Sequence, residues 1–560
     1  MSDFSATESA SNQTPIPEKL NFSTKLAYGA GDLGPAMTAN ILVFFLLFFF
    51  TNVAGLPPGI AGSILTIGKI SDAINDPIIG ILSDRTRSRW GRRLPWIFWG
   101  IIPFGILFFL QWIVPRFSDN NTVNNWWLFG YYVLIGVLFN FAYTIVNLPY
   151  TALTPELTED YNERTSLNSF RFTFSIGGSI LSLIIAGLIS AYYKDDPVTQ
   201  YLVLGLVCSL LSVIALLWCV LRIQERRTQS ILNERPKKTL GIVLSAVGFI
   251  LIIYGILRLI PLTSALLGVS EGLDLYAILA ILIGLQIGAF GLTLIFSDPE
   301  THLTDRSSSN NSVAETEDPL PFVEQLKIVF SNKPFRYVIG MYLCSWLGVQ
   351  LTASILIYFV VSWMGLDPQA FPSVAIAVQG TALVMLFVWK TISDRIGKKA
   401  VYFIGTSIWI IAQIGLFSLQ PSQVELMYFL AVLAGFGVSV AYLIPWSMLP
   451  DVIELDELTT GQRREGIFYS FAIVVQKFCL AFALFLVGIA LEWAGFIERI
   501  PGQPIPVQPE NALLAIRIAV APLPAVVLII GLVLAYFYPL TGEIHAEIRL
   551  KLQERRNNRG

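Results

Sequence analysis

Fourteen apolar runs divide this sequence, and no other feature constrains its fold as much. They fall at about 28–52, 59–82, 95–115, 127–149, 171–193, 200–221, 239–261, 275–296, 336–363, 371–390, 400–419, 425–449, 466–493 and 512–537. Most are close to the ~20 residues that a helix needs to cross a bilayer. A backbone in hydrocarbon must satisfy its own hydrogen bonds, which leaves helices or closed barrels. The runs are continuous, without the alternation of barrel strands, so helices are predicted. Only 14% of the 560 residues are charged and mean hydropathy is +0.64, where a soluble domain carries roughly 25% charge. The expectation is an all-α, polytopic membrane protein. The run ILVFFLLFFF (41–50) is apolar all round and reads as lipid-facing wall.

Lys and Arg in the short loops orient the helices. Arg85, Arg87, Arg89, Arg92 and Arg93 follow the second run, Arg222 to Lys238 follow the sixth, and Arg395, Lys398 and Lys399 follow the tenth. The intervening loops carry few, so both termini are expected in the cytoplasm and the protein in the plasma (inner) membrane. The first 20 residues are polar, lack the apolar core of a signal peptide and read as a cytoplasmic tail. The four cysteines lie in apolar runs with no disulfide or metal-ligand spacing. Basic residues sit in short clusters between apolar runs, not along one face, so no nucleic-acid partner is expected.

The second run carries the strongest functional signal. In KISDAINDPIIG (69–80), Lys69, Asp72 and Asp76 are spaced to share one helix face. Asp72 lies near the middle of its run, where each carboxylate costs roughly 2.5–3.5 kcal/mol on insertion scales. Such a cost points to a role inside the bundle, and hence to ion-coupled transport. SDR at 83–85 is followed by GRR at 91–93, and SDR at 393–395 by GKK at 397–399. The repeated loop resembles the signature of the major facilitator superfamily, which implies two six-helix halves. An inserted helix pair then accounts for the count of about fourteen transmembrane helices. The domains expected are a tail (1–24), a six-helix bundle (25–235), the inserted pair (236–297), a linker (298–330), a second six-helix bundle (331–540) and a tail (541–560).

KLAYGAGDLG (25–34), KISDAINDPIIG (69–80), RSRWGRRLPW (87–96), AYTIVNLPYTAL (142–153) and PWSMLPDVIELDE (445–457) resemble the glycoside–pentoside–hexuronide:cation symporters, the family of melibiose permease. The resemblance implies alternating-access symport of a sugar-type solute with Na+ or H+ and no cofactor. It implies a cation site at Asp72, Asn75, Asp76 and Thr144, and a substrate site at Tyr143, Asn147, Arg171, Tyr442 and Lys477. Hard oxygen ligands suit a monovalent cation. The family's sugar-gripping carboxylates are replaced here by Ala36 and Asn147, and a neighbouring aromatic by Thr151. LPYTAL (148–153) and SMLPDVI (447–453) also resemble the sodium-dependent lysophosphatidylcholine symporters, so lysolipid stands beside sugar or sugar acid as a substrate class.

Several readings stay open at this level. Asp72 or Asp76 could form a structural ion pair with Lys69. Arg171, at the start of an apolar run, suits either the substrate site or a snorkelling position at the interface. Lys477 serves as countercharge to the second-helix acids or as a substrate contact. Asp84, Arg85, Arg92, Asp394, Arg395 and Asp451 are candidates for a cytoplasmic gate; Asp451, Glu454 and Asp456 face Arg463 and Arg464 or form a solvated acidic loop. Pro77, Pro149 and Pro445 are expected to bend or end helices. GAGD (29–32) matches an intramembrane aspartyl protease motif, but no Tyr-Asp partner exists and Asp32 is placed at the mouth of the first helix. A passive channel or receptor remains a further class. Membrane lipid surrounds the chain in every case.

Overall fold

The computed structural model describes residues 20–223 except 87, 89, 159 and 160; residues 245–251, 253 and 254; and residues 330–460, 465–499, 506–540 and 542–557. Among them there is no strand. The first half consists of α1 (Phe22–Asn52), α2 (Pro58–Arg85), α3 (Leu94–Leu110), α4 (Asn121–Thr151), α5 (Tyr161–Tyr192) and α6 (Pro197–Arg222). The second consists of α7 (Lys333–Tyr358), α8 (Phe371–Ile396), α9 (Lys398–Ser418), α10 (Val424–Thr460), α11 (Glu465–Trp493) and a broken α12 (Glu510–Val520 and Pro522–Phe537), and α13 (Gly542–Asn557) follows. Ten helices are long and apolar enough to span a membrane. With the shorter apolar α3 and the charged α2, the described residues supply six crossings per half. The expected inserted pair and linker lie almost entirely outside the described residues.

Local chemistry sets the ends of these helices. Asn21, Asn120, Asp196 and Asn332 accept hydrogen bonds from the first-turn N–H groups of α1, α4, α6 and α7, which would otherwise go unsatisfied. Pro58 and Pro95 open α2 and α3, where a missing N–H costs nothing. Pro522 lacks the N–H that would continue α12 through Ala521. Pro77 and Pro445 lie inside helices that run on past them, and Pro149 lies two residues before the end of α4. None of the three terminates its helix.

Lys25 on α1 and Glu163 on α5 pair at 2.8 Å, placing the starts of both helices on one face. The far end of α1 meets the far end of α7, where Thr51 Oγ1 and Tyr358 Oη are 2.7 Å apart. His545 of α13 bonds Glu454 near the end of α10 at 2.8 Å. Both ends of the described chain therefore share one face, here the terminus face; the other is the distal face.

The aromatic run of α1 corrects an expectation. Phe44, Phe45, Phe48, Phe49 and Phe50 are buried, none more than 7% exposed, so this is not lipid-facing wall. They pack on Phe371, Tyr358, Tyr201, Trp112 and Tyr132, drawn from both halves. A helix apolar all round is one surrounded on all sides, and α1 packs against α5, α6 and α7.

The two halves meet along α2–α11, α5–α8 and α1–α7. Near the distal face, Gly62 of α2 lies against Gly488 of α11. A Cβ on Gly488 would come within 2.6 Å of the Pro58 carbonyl oxygen and 2.9 Å of Gly62 Cα. Only the absence of side chains lets these two backbones approach so closely.

Candidate functional site

Asp72 is fourteen residues from the start of α2 and thirteen from its end, about 20 Å from either at ~1.5 Å rise per residue. It is buried at 4% exposure. Asp76 lies one turn on, and the two carboxylates converge on the same two partners. Thr144 Oγ1 on α4 is 3.2 Å from Asp72 Oδ1 and 3.2 Å from Asp76 Oδ1, in donor geometry to each. The Lys477 ammonium reaches from α11 of the other half, 3.0 Å from Asp72 Oδ1 and 2.6 Å from Asp76 Oδ2.

Lys477 is twelve residues into α11, and its charge is met by the two carboxylates. Lys69 forms no hydrogen bond or ion pair among the described residues, and the ion pair with Lys69 left open by the spacing is replaced by one across the halves. The cluster offers four carboxylate oxygens and a hydroxyl, a donor set that suits Na+ or another hard monovalent cation. One carboxylate holding a proton would satisfy the same arrangement.

A second buried pair lies in the first half and was not legible as a pair in the sequence. Asp32 of α1, 6% exposed, accepts from Arg171 Nε of α5 at 3.1 Å. The guanidinium lies 5.8 Å from the Tyr150 ring centre and 5.7 Å from that of Phe172. Tyr150 donates to the Tyr28 carbonyl oxygen at 2.5 Å, and Tyr28 shares a hydrogen bond with Thr154 at 2.6 Å. Arg171 is therefore not an interfacial residue. α5 begins at Tyr161, ten residues before the arginine, because the polar stretch YNERTSLNSF is helical although it is not apolar. Asp32 likewise stands ten residues into α1, about 15 Å from its start, and not at its mouth. The signal for it was an acid inside an apolar helix.

Tyr143 lies in the electrostatic field of both pairs. It precedes Thr144 on α4, and the charges of Asp32, Arg171, Asp72 and Asp76 all act on it; its ring packs near Phe104 and Phe139. The other expected residues are less tightly held. Asn75 bonds Ser71 on its own helix at 3.3 Å and neither carboxylate. Asn147 is half-buried. Tyr442 is 38% exposed, 5.5 Å from the Trp346 ring.

At the terminus face, Asp394 and Arg395 are exposed at the end of α8, Arg92 follows the α2–α3 turn, and the side chains of Asp84 and Arg85 lie outside the described residues, as do Arg463 and Arg464. Asp451 takes Lys398 as its partner, at 2.8 Å, with His545 at 3.5 Å. It is buried at 9%, so it is not part of a solvated loop. Its partners were hidden in sequence because they come from α9 and α13.

A family model described as MFS/sugar transport protein matches residues 27–248 and 238–542. An uncharacterized symporter of Synechocystis sp. is 59% identical across 98% of this chain and 99% of its own length. Sodium-dependent lysophosphatidylcholine symporter 1 of Xenopus tropicalis is 29% identical, covering 96% of this chain and 90% of its own. Among solved structures, a D-xylose-proton symporter shares the fold at TM-score 0.55 and 14% identity, over 92% of this chain and 97% of that one.

Proposed function

The chain belongs to the MFS/sugar transport protein family and is a secondary transporter of the membrane, and from that premise we propose that it is a cation-coupled symporter for a solute bearing an anionic group. The observation that carries this reading is the position of the Lys477 ammonium between Asp72 and Asp76. It stands where a coupling cation would stand, and it comes from the other half of the protein. A Na+ or proton taken up by the carboxylates relieves their need for Lys477. The freed ammonium, buried and unpaired, then requires an anion. Coupling follows, because cation and solute each raise the other's affinity by the same factor.

The anionic group belongs to a sugar acid or to a lysophospholipid. The first fits the glycoside–pentoside–hexuronide resemblance, and the second fits the similarity to a lysophosphatidylcholine symporter. The proposed orientation places the terminus face in the cytoplasm and the protein in the plasma (inner) membrane, with the halves rocking about the central site.

The test is uptake into proteoliposomes of glucuronate, methyl galactoside and lysophosphatidylcholine, each with and without an inward Na+ or proton gradient. Gradient-driven accumulation of an anion-bearing solute, and not of methyl galactoside, is expected. Equal accumulation of the neutral sugar overturns the anionic reading, and uptake indifferent to both gradients overturns coupling.

A further inference from the structure

The two buried pairs hold more charge than cation coupling alone requires. Within the membrane-spanning helices Asp32 pairs with Arg171, and Asp72 and Asp76 pair with Lys477. The residues of the two pairs stand at similar depth, ten residues into α1 and α5, twelve into α11 and near the middle of α2. Both pairs act on Tyr143 through their charges. Charge in a low-dielectric site is costly, so each cationic side chain held by a carboxylate stays masked until that carboxylate takes another partner.

The two pairs differ in what can open them. Lys477 is released when a cation occupies Asp72 and Asp76. Arg171 has no such competitor. Its carboxylate comes from α1, inside the same half, and α1 and α5 pack along their length. Asp32 is also better shielded than Asp76, with side-chain exposures of 9% and 20%. A coupling cation therefore frees one ammonium, that of Lys477, and leaves Arg171 still closed.

We infer that Asp32 sets the charge of the solute this site accepts: by keeping Arg171 neutralised it leaves Lys477 as the cation freed on loading, which matches one negative charge, as on a carboxylate or a phosphodiester, and selects against two, as on a phosphomonoester. This rests on the anion-bearing solute proposed above. Asp32 acts through Arg171 as a positioning residue and need not touch the solute. Its removal raises the charge of the site by one and frees a guanidinium, whose donor fork suits the oxygens of a phosphomonoester.

The experiment measures binding to the full-length protein in nanodiscs, in NaCl and in choline chloride. Two matched pairs of probes separate the sources of the anion: glucuronate against glucose 6-phosphate, and lysophosphatidylmethanol against lysophosphatidic acid of the same acyl chain. The phosphomonoesters carry about −1.5 to −2 at neutral pH. Wild type is expected to favour the singly charged member of whichever pair it binds. Asp32→Asn is expected to move that affinity ratio about tenfold or more toward the doubly charged member, the effect of one charge-assisted hydrogen bond. Asp32→Glu should keep the wild-type ratio, and Asp32→Asn with Arg171→Gln should restore it.

A ratio unmoved in Asp32→Asn, at unchanged melting temperature and Na+ dependence, overturns the inference while leaving the proposed function standing. Should that variant not fold, Arg171→Gln carries the test, since it leaves Asp32 unpaired and must shift the ratio the other way; no shift overturns the inference. Wild-type protein that binds methyl galactoside and none of the anions overturns the proposed function itself.

Discussion

Two charge clusters in this protein share much of their chemistry and differ in what they join. Lys398, Asp451, Glu454 and His545 meet at the terminus face, and come from α9 and α10 of the second half and from α13, which follows it. Lys477, Asp72 and Asp76 meet at mid-membrane, and the lysine and the acids come from different halves. In the proposed rocking the first cluster moves as one body with the second half. The second lies on the surface where the halves meet, so in the proposed rocking its bonds change whenever the halves part. An ion pair inside one rigid unit fixes geometry; the same pair across two units can report whether a cation is present.

The sharpest way to break this contrast is to remove a carboxylate from the crossing cluster. Asp76→Asn or Asp72→Asn should abolish cation-driven accumulation, by roughly 100-fold or more, consistent with the ~3–5 kcal/mol that loss of one partner costs a buried pair. Membrane insertion and expression should persist. Normal gradient-driven uptake in both variants would dissolve the distinction.

A smaller effect is expected at the other crossing contact. Gly488→Leu places a side chain where a Cβ alone meets the backbone of Pro58 and Gly62. The halves should then fail to close at the distal face. Turnover is expected to drop about tenfold, an overpacking cost of ~1–3 kcal/mol. A cysteine introduced at Thr51 should react faster with a membrane-impermeant maleimide from the distal side. Unchanged labelling would mean that this contact does not gate.

Within the second half the expectation reverses. Lys398→Ala should lower thermal stability by roughly 1–3 kcal/mol, the cost of leaving a buried acceptor unmet, and leave the cation dependence of uptake unchanged. A shift in cation affinity would show that the terminus-face cluster also answers to the crossing one.

The smallest effect is at Asp196, which caps α6 outside the membrane-spanning segments. The Thr199 hydroxyl, at 2.5 Å, and its N–H hold the Asp196 carboxyl below the usual aspartate value. Asp196→Ala should cost about 0.5–1 kcal/mol, as exposed caps do. A depressed folded value makes this stabilisation present above the unfolded value of ~3.9 and lost as pH falls through the folded one. Melting curves of wild type and variant should therefore differ most near neutrality and converge as pH falls below ~3.9.

Much of this was legible in the chain because bilayer and backbone impose strict terms. Continuous apolar runs fixed twelve described crossings to within a few residues at most ends. The largest misses, at the start of α5 and the end of α10, occurred where polar segments such as YNERTSLNSF stay helical beyond the apolar span. That extension turned Arg171 from an apparent interface residue into an interior one. Phe44 to Phe50 misled for a different reason: an apolar helix reads the same whether lipid or protein surrounds it, and only packing tells them apart.

The site divides along the same line. Sequence alone determined that Asp72 and Asp76 share a helix face and that Lys477 lies deep in another helix, because periodicity and length follow from local geometry. It could not determine that Lys477 closes on both acids across 401 positions of chain, that Asn75 turns to Ser71, or that Asp32 and Arg171 find each other across 139. Those outcomes belong to the tertiary structure, because a charge in a low-dielectric interior takes its partner from whichever helix packing brings within about 3 Å, and local spacing carries no record of that neighbour.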